Sequence, residues 1–438
     1  MWKFNATNLG KITAAEVEVA PLVLFVGRNN TGKSYLATAM WALSSVPQIL
    51  SVMDEPDAMR FEWNDIKRPA FAEGFRLEVT QAMANEAVQR LNQALRNKTS
   101  DFLSEIFAFK GFKDTTLSLS LPESFEPFRI SITQPAGEGE KRPFLQMRVE
   151  KKPSVNITYR FPPMQADEIT RQAQRRIFAE VIRHSQSGRT AASGGTIYIP
   201  AARTGLMLSY PALIAQLFEP EGPPIPFPRP VIDFLQRLSL GFSPRGRQTN
   251  QITTWMERNI LKGNLEYEEA EAYKVNYIPE NTQVSIPLHV ASSMVTEMVP
   301  ILLAIRSAPT VSQIILEEPE AHLHLSAQRE MARAIARLLN SGIRVTVTTH
   351  SDTFVQQINN LMQIYKHPKR EDLLRELGYD EIDLINPEHA RAYEFLSAPS
   401  GSVVNEVDRS PEGFIVTSLN DTLFALAKET IRVGAEGE

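Results

Sequence analysis

The stretch ILEEPEAHLH, at positions 315–324, concentrates acidic and imidazole side chains in a few residues. These side chains are Glu317, Glu318, Glu320, His322 and His324. Carboxylates and imidazoles bind divalent cations, so a zinc site is one hypothesis. The alternatives are an exposed acidic turn and one half of a nucleotide site whose other half lies elsewhere. The chain has no cysteine, which excludes thiolate zinc sites, disulfides and a cysteine nucleophile.

A second stretch, GRNNTGKS at positions 27–34, fits the phosphate-binding pattern G-x-x-x-x-G-K-[ST]. Its glycines let backbone N–H groups converge on phosphate oxygens, and a helix N-terminus adds a favourable dipole. Lys33 would reach the β- and γ-phosphates, and Ser34 would bind Mg²⁺. The predicted nucleotide contacts are Gly27, Asn29, Asn30, Thr31, Gly32, Lys33, Ser34 and Tyr35.

A phosphate-binding loop needs a carboxylate near the magnesium, and QIILEEPE supplies two at the end of an apolar strand. Glu317 suits the metal shell, directly or through water. Glu318 suits a base that orients the attacking water. Adjacent carboxylates at a strand end point in different directions, so they can act differently. With the loop at 27–34 present, we favour the nucleotide reading over a solvated turn or a zinc site.

A third strand, RVTVTT, ends next to His350. Ligands of parallel sheets bind beyond the carboxyl ends of the strands. His350 is therefore predicted to hydrogen-bond the γ-phosphate, although a lone histidine is more often structural.

These elements imply an α/β core of alternating strands and helices. PLVLFVG (21–27) has strand length and precedes a helical pattern over about 32–45. In the last third we predict helices over 292–307, 326–340, 352–365 and 415–432, and strands over 313–316 and 344–349. A β-hairpin or small meander is predicted over 264–289.

The region between these parts has a different pattern. A long amphipathic helix is predicted over 79–109 and a polar helix over 165–187. Alternating strands are predicted at 116–121, 128–132, 144–149 and 155–161, forming one antiparallel meander. The proline-rich stretch 218–230 reads as a rigid loop. We therefore predict an α/β domain at 1–50 and 190–438, and a helical and β-rich insert at 51–189.

GRNNTGKS, LEEPEAHLH and TTHS resemble the Walker A, Walker B and switch-histidine motifs of ABC-type ATPases. The nearest resemblance is to the standalone bacterial ATPases grouped with RecF, SMC proteins and OLD nucleases. It covers about 1–50 and 190–430. It implies an α/β P-loop NTPase of ABC-ATPase type, with a mixed sheet core and a helical lobe, so that 1–50 and 190–438 would form an ATPase domain of two lobes. It also implies Mg²⁺-dependent ATP hydrolysis in a head-to-tail homodimer or higher homo-oligomer, with ATP at the interface. Glu320, His322 and His324 then fall in a turn that contacts the second subunit.

The family's signature would lie in LHVASSMVTEM (288–298), where Ser292 and Ser293 match its serines and Glu297 its acidic position. The resemblance implies that both serines contact the ATP of a second subunit. Met294 stands where a glycine is common, and its Cβ restricts close backbone approach. The alternative is that the serines only cap a helix.

Arg203, in YIPAARTGL (198–206), also resembles this group. It could contact phosphate or a carboxylate near the ATP, or serve as a structural ion pair.

Composition limits the partners. The chain of 438 residues has a formal net charge of −5, unlike a chain-wide nucleic-acid surface. Basic residues near aromatics, as in KGFK (110–113), leave local DNA contact open. No secretory signal and no bilayer-length apolar run is visible, so we predict a cytoplasmic protein without membrane contact.

The function that these predictions favour is an ATP-driven dimerisation or conformational switch. The resemblance suggests bacterial anti-phage defence with a separate effector nuclease, as in PARIS- or Septu-like systems, because the chain shows no nuclease motif of its own. The alternatives are a RecF-like DNA repair clamp and a slow-hydrolysing, ATP-bound scaffold.

Overall fold

The computed structural model describes residues 1–53, 75–122, 125–133, 145–151, 155–161, 166–187, 195–210, 212–213, 227–242, 251–267, 275–306 and 311–435. The strands are β1 Lys3–Leu9, β2 Ile12–Glu18, β3 Leu22–Gly27, β4 Phe75–Val79, β5 Thr116–Ser120, β6 Phe128–Thr133, β7 Leu145–Lys151, β8 Val155–Phe161, β9 Gly195–Ile199, β10 Gly263–Tyr267, β11 Val275–Pro279, β12 Ile286–Pro287, β13 Val311–Glu317, β14 Arg344–Thr349, β15 Ala390–Ala398, β16 Gly401–Glu406, β17 Arg409–Ser410 and β18 Gly413–Phe414.

The helices are α1 Lys33–Ser44, α2 Val46–Val52, α3 Gln81–Phe107, α4 Ala166–Ser187, α5 Arg203–Leu208, α6 Arg229–Phe242, α7 Gln251–Met256, α8 Ser293–Arg306, α9 Leu325–Asn340, α10 Asp352–Lys366, α11 Arg370–Leu377 and α12 Thr417–Ala435. A π-helical turn, Glu257–Leu261, continues α7. The helices and strands predicted in the last third are confirmed to within three residues, close to the usual uncertainty of helix ends.

A nine-stranded mixed sheet forms the centre of the fold, in the order β5-β1-β2-β16-β15-β3-β14-β13-β9. Five consecutive strands of this order run parallel to one another, namely β15-β3-β14-β13-β9. The strands at the other edge, β5-β1-β2, pair antiparallel. Every residue of β3 and of β13 is buried. Parallel strands covered on both faces read as continuous apolar runs, which is why the sequence revealed them. The predicted mixed α/β class is confirmed.

The sheet divides two hydrophobic cores, and β3 contributes alternate side chains to each. Val23 and Phe25 enter the core that also holds Trp41 of α1. Leu24 and Val26 enter the opposite core, which holds much of α8 and α9. Because side chains alternate across a strand, β3 is held from both sides and its end is fixed in space.

One strand of the predicted insert belongs to the central sheet. The expected meander of four strands from 116–161 is wrong in its first member, because β5 pairs with β1, Leu117 opposite Ala6. Leu117 and Leu119 are buried in the first core. The antiparallel sheet of the insert has the order β4-β6-β7-β8, so β4 takes the place expected for β5. The division into domains stays a prediction.

Two further expectations concern local segments. The meander over 264–289 is confirmed as the three-stranded sheet β10-β11-β12. Most of the proline-rich stretch 218–230 lies outside the described residues. In the part of the chain that is described, no helix is both long and apolar enough to cross a membrane.

Candidate nucleotide site

The loop at 27–34 connects β3 to α1 in a conformation that requires glycine at two places. Gly27 has φ +133° and Gly32 has φ +101°, values that side chains rarely adopt. A Cβ on Gly27 would lie 2.6 Å from the carbonyl oxygen of Phe395, and one on Gly32 would lie 2.7 Å from Ile12 Cγ1. Asn30 also has positive φ, which asparagine tolerates better than most residues. The loop therefore has the tightly wrapped shape that phosphate binding needs.

Lys33 is buried at the start of α1, with its Nζ inside the loop. Nζ donates to the carbonyl oxygens of Gly27 at 2.9 Å and Arg28 at 2.7 Å, and lies 3.5 Å from His350 Nδ1. Burial lowers the pKa of Lys33 to about 8, although the charges of Glu318, Glu320 and Glu317 act in the opposite direction. The loop thus holds a cation whose hydrogen bonds a phosphate group could replace.

The other predicted loop contacts differ in accessibility. Asn29, Asn30 and Ser34 are exposed, whereas Thr31 is buried and donates to the Arg28 carbonyl at 2.8 Å. The ring of Tyr35 stacks on Phe107 of α3 with centroids 5.2 Å apart, so that side chain already has a partner.

Glu317 and Glu318 end β13 and face different partners. Glu317 Oε2 accepts from the backbone N–H of Ala201 at 3.0 Å, while its buried Oε1 has no hydrogen-bond partner among the described residues. Glu318 has φ +44°, and its Oε1 lies 3.3 Å from His350 Nε2. The hydrogen bond with His350 holds the pKa of Glu318 below its usual range.

The unpartnered oxygen of Glu317 is relevant to metal binding. Mg²⁺ prefers oxygen ligands and uses one or two carboxylates together with phosphates and water. The buried Glu317 Oε1 and the exposed hydroxyl of Ser34 are ligands of this kind, so these residues fit the ion. Among the described residues, no group of three or more histidine, aspartate or glutamate side chains is arranged to hold a metal ion.

His350 lies between Lys33 and Glu318, directly after β14. Its backbone N–H donates to Glu320 Oε1 at 2.7 Å, and the hydroxyl of Thr349 donates to the same oxygen at 2.7 Å. Glu320 therefore orients the end of β14. The sequence pattern predicts only a turn position for Glu320, and the signal for its role is its position two residues after Glu318.

The two histidines of the turn have different surroundings. His324 caps α9, because its Nδ1 accepts from the backbone N–H of Ser326. The exposed His322 has φ +56°, and its Nε2 lies 3.8 Å from Glu297 Oε1.

Arg203 is fully buried at the start of α5. Its Nε lies 2.8 Å from the Glu297 carboxylate, and its Nη atoms donate to the carbonyl oxygens of Glu317 at 2.7 Å and Glu318 at 2.9 Å. These contacts correspond to the structural ion pair that we considered as the alternative. Contact with a nucleotide stays a prediction.

Ser292 and Ser293 are exposed where α8 begins, and the Ser292 carbonyl accepts from the backbone N–H of Thr296. Met294 is partly buried and packs against the second core. Its side chain therefore has contacts within the chain, while the two serines remain accessible.

Comparison with known proteins gives one family. A family described as an AAA ATPase domain matches residues 243–355, which include α8, β13, α9 and β14. No curated protein matches the chain.

Solved structures that match this chain include three SMC head domains. The SMC head bound to the C-terminal winged-helix domain of ScpA is 10% identical with a TM-score of 0.37, and the match covers 93% of this chain and 97% of that one. The head from Thermotoga maritima is 12% identical with a TM-score of 0.32, covering 93% and 98%. A head with an extended coiled coil, bound to the C-terminal domain of ScpA derived from Pyrococcus furiosus, is 12% identical with a TM-score of 0.33, covering 99% and 100%. The family match over 243–355, which includes Glu317, Glu318 and His350, supports the conclusion that this chain is an ATPase.

Proposed function

We propose that this chain is a Mg²⁺-dependent ATPase whose two copies close around ATP and separate after hydrolysis. The observation that carries the proposal is the series Lys33, His350 and Glu318, whose polar atoms are separated by 3.5 Å and 3.3 Å. They lie at the carboxyl ends of three neighbouring parallel strands, where ligands of such sheets bind.

The proposed reaction is attack of water on the γ-phosphorus. Lys33 and the N–H groups of the loop bind the β- and γ-phosphates, and His350 hydrogen-bonds the γ-phosphate. Glu318 accepts a proton from the water as the new P–O bond forms and the bond to ADP breaks. A glutamate is ionised at neutral pH, and the hydrogen bond with His350, which lowers the pKa of Glu318, favours that proton-accepting form. Mg²⁺, held by Ser34 and Glu317, would neutralise phosphate charge.

The dimer is proposed because the exposed start of α8 is suited to contact a phosphate outside its own chain. Ser292 and Ser293 precede and begin a helix of 14 residues, whose N-terminus favours anions. We infer that this end completes the ATP site of a second copy, which makes the assembly dependent on ATP.

The biological setting is proposed from the resemblance of the three motifs alone. We propose a role in anti-phage defence, in the cytoplasm, with a separate effector nuclease that responds to the ATP-bound dimer. A RecF-like clamp is the competing role, and it predicts ATPase activity that DNA stimulates and salt suppresses.

The test is the variant Glu318→Gln, which keeps the shape of the side chain but cannot accept the proton. We expect turnover to fall by at least about 100-fold, the usual contribution of a general base. ATP should then accumulate in a stable dimer, measured by light scattering with and without ATP. The matched control is Glu388→Gln, an exposed carboxylate paired with Arg409 and Lys366, which should change neither property.

Two results would contradict the proposal in different ways. Unchanged turnover of Glu318→Gln would remove Glu318 from catalysis. A mass that ATP does not change, in a variant that binds ATP but does not hydrolyse it, would refute the ATP-dependent dimer.

A further inference from the structure

Arg203 connects two parts of the candidate site, the start of α8 and the end of β13. In the proposed dimer, these two parts lie at different nucleotides. Its side chain has 0% exposure, and such a buried guanidinium must satisfy its charge within the protein. The partners of Arg203 are therefore the key to its role.

On one side, Arg203 binds the helix that begins at the exposed serines. The carboxylate of Glu297 lies 2.8 Å from its Nε, and the carbonyl oxygen of Glu297 accepts from the same nitrogen at 3.3 Å. Glu297 follows Ser293 by four residues, which is about 6 Å along the helix axis. Glu297 and the start of α8 must therefore move together.

On the other side, Arg203 binds the backbone at the catalytic carboxylates. Its Nη1 donates to the carbonyl of Glu317 and its Nη2 to the carbonyl of Glu318, at 2.7 Å and 2.9 Å. The planar guanidinium has a fixed geometry, so it cannot follow one partner without moving the others. Glu318 also has positive φ, a conformation that persists only when its surroundings hold it.

We propose that Arg203 couples the two ATP sites of the dimer. This inference rests on the proposed function. In a head-to-tail dimer, the start of α8 touches the nucleotide held by the partner's loop, whereas Glu318 acts on the nucleotide of its own loop. The contact Glu297–Arg203–Glu318 then makes hydrolysis in one site depend on nucleotide in the other. Arg203 is a positioning residue, because it contacts backbone carbonyl groups and the Glu297 carboxylate but no reacting atom.

The test mixes active subunits with Lys33→Ala subunits, which keep α8 but cannot hold ATP. Subunits pair at random, so the dependence of activity on the active fraction reports coupling. In an equal mixture, about one quarter of the dimers contain two active subunits and about one half contain one. Coupled sites fail in the mixed dimers, so about one quarter of the undiluted activity remains. Independent sites still work in the active subunit of each mixed dimer, so about one half remains. We expect the equal mixture to retain about one quarter of the activity in the otherwise unchanged chain. It should retain about one half when all subunits carry Arg203→Lys.

Lysine keeps the charge of Arg203 but cannot reach both carbonyls and Glu297 together. Each mixture is compared with its own undiluted activity, so a general loss of turnover does not change the result. Glu297→Gln should have the same effect as Arg203→Lys, because it removes the charge that holds Arg203 to α8. Thermal unfolding and mass measurements establish that each variant is folded and forms mixed dimers with ATP.

The matched control is Arg306→Lys, at the other end of α8. Arg306 Nη2 lies 2.7 Å from Glu257 Oε1, and both side chains are 9% exposed, so this too is a buried ion pair on the same helix. It should leave the retained activity at about one quarter, as in the unchanged chain.

The inference would be overturned if the equal mixture retained the same fraction of activity in the unchanged chain and in Arg203→Lys. It would also be overturned if the unchanged chain retained about one half of its activity. Either result requires that ATP-dependent dimers are present. Absence of such dimers in Glu318→Gln is a different outcome, because it refutes the proposed dimer itself.

Discussion

Raising the pH above 8 should weaken ATP binding, because Lys33 loses the proton that makes it attractive to phosphate. Burial lowers the pKa of Lys33 from 10.5 to about 8 in the nucleotide-free chain. Bound phosphates replace the lost hydration with negative charge, so they raise this pKa again. ATP therefore binds the protonated lysine and must take up a proton wherever the lysine is neutral.

The size of the effect follows from that pKa. Below pH 8 Lys33 is charged, and the affinity for ATP should not depend on its titration. Above pH 8 the charged fraction falls tenfold per pH unit, so binding at pH 9 should be about tenfold weaker than at pH 7, or about 1.4 kcal/mol. At pH 8 each site should take up about half a proton on binding.

Isothermal titration calorimetry with a non-hydrolysable ATP analogue measures both quantities. The affinity is followed from pH 7 to 9.5, and proton uptake at pH 8 is obtained from two buffers with different ionisation enthalpies. The control is Lys33→Arg, because a guanidinium stays charged over this range. Its affinity, whatever its value, should be independent of pH.

An affinity for the unchanged chain that stays constant to pH 9.5, without proton uptake at pH 8, would refute the reasoning. Either Lys33 would then be accessible to water, or its charge would not contribute to binding. A decline of the same size in Lys33→Arg would assign the titration to another group.

Two further substitutions test the loop and a buried group of ion pairs on α9. Gly32→Ala should weaken ATP binding by at least about tenfold, because its φ is +101° and the new Cβ would lie 2.7 Å from Ile12 Cγ1; Gly205→Ala, whose Cβ would meet nothing within 4 Å, should bind normally. Asp383→Asn should lower the free energy of unfolding in urea by about 3–5 kcal/mol without changing ATP affinity, since it leaves two arginines, Arg333 and Arg337, without the buried carboxylate that lies 2.7 Å from each. Unchanged urea midpoints would show that this ion pair contributes little.

The sequence predicted the elements that local pattern determines. The apolar run of β3 and the glycines of the following loop are sufficient to place Lys33, because strand, turn and helix are adjacent in the chain. The same holds for β13 and β14 with Glu317, Glu318 and His350. In each case, the parallel sheet brings together strand ends that the pattern had already identified.

The pairing of strands was harder to predict from the sequence. The alternation of residues 116–120 shows which side chains of β5 face a core, but it does not tell which strand lies beside them. Pairing with β1 depends on Leu117 and Leu119 fitting the core under α1 and α3, a property of the assembled fold. The partners of Arg203 and Glu320 were hidden for a related reason: both bind backbone groups, which every residue has, so no sequence motif marks them.

The position of β3 in the sheet has a consequence for biosynthesis. Its neighbours are β14 at 344–349 and β15 at 390–398, so the strand that carries the phosphate-binding loop is made long before either of its partners. A ribosome adding about 5–20 residues per second needs roughly 20–70 seconds between the loop and β15. During that interval both edges of an apolar strand lack their partners, which makes the nascent chain a natural client for chaperones. A newly made chain therefore completes the strand pairs around its phosphate-binding loop only after β15 has been synthesised.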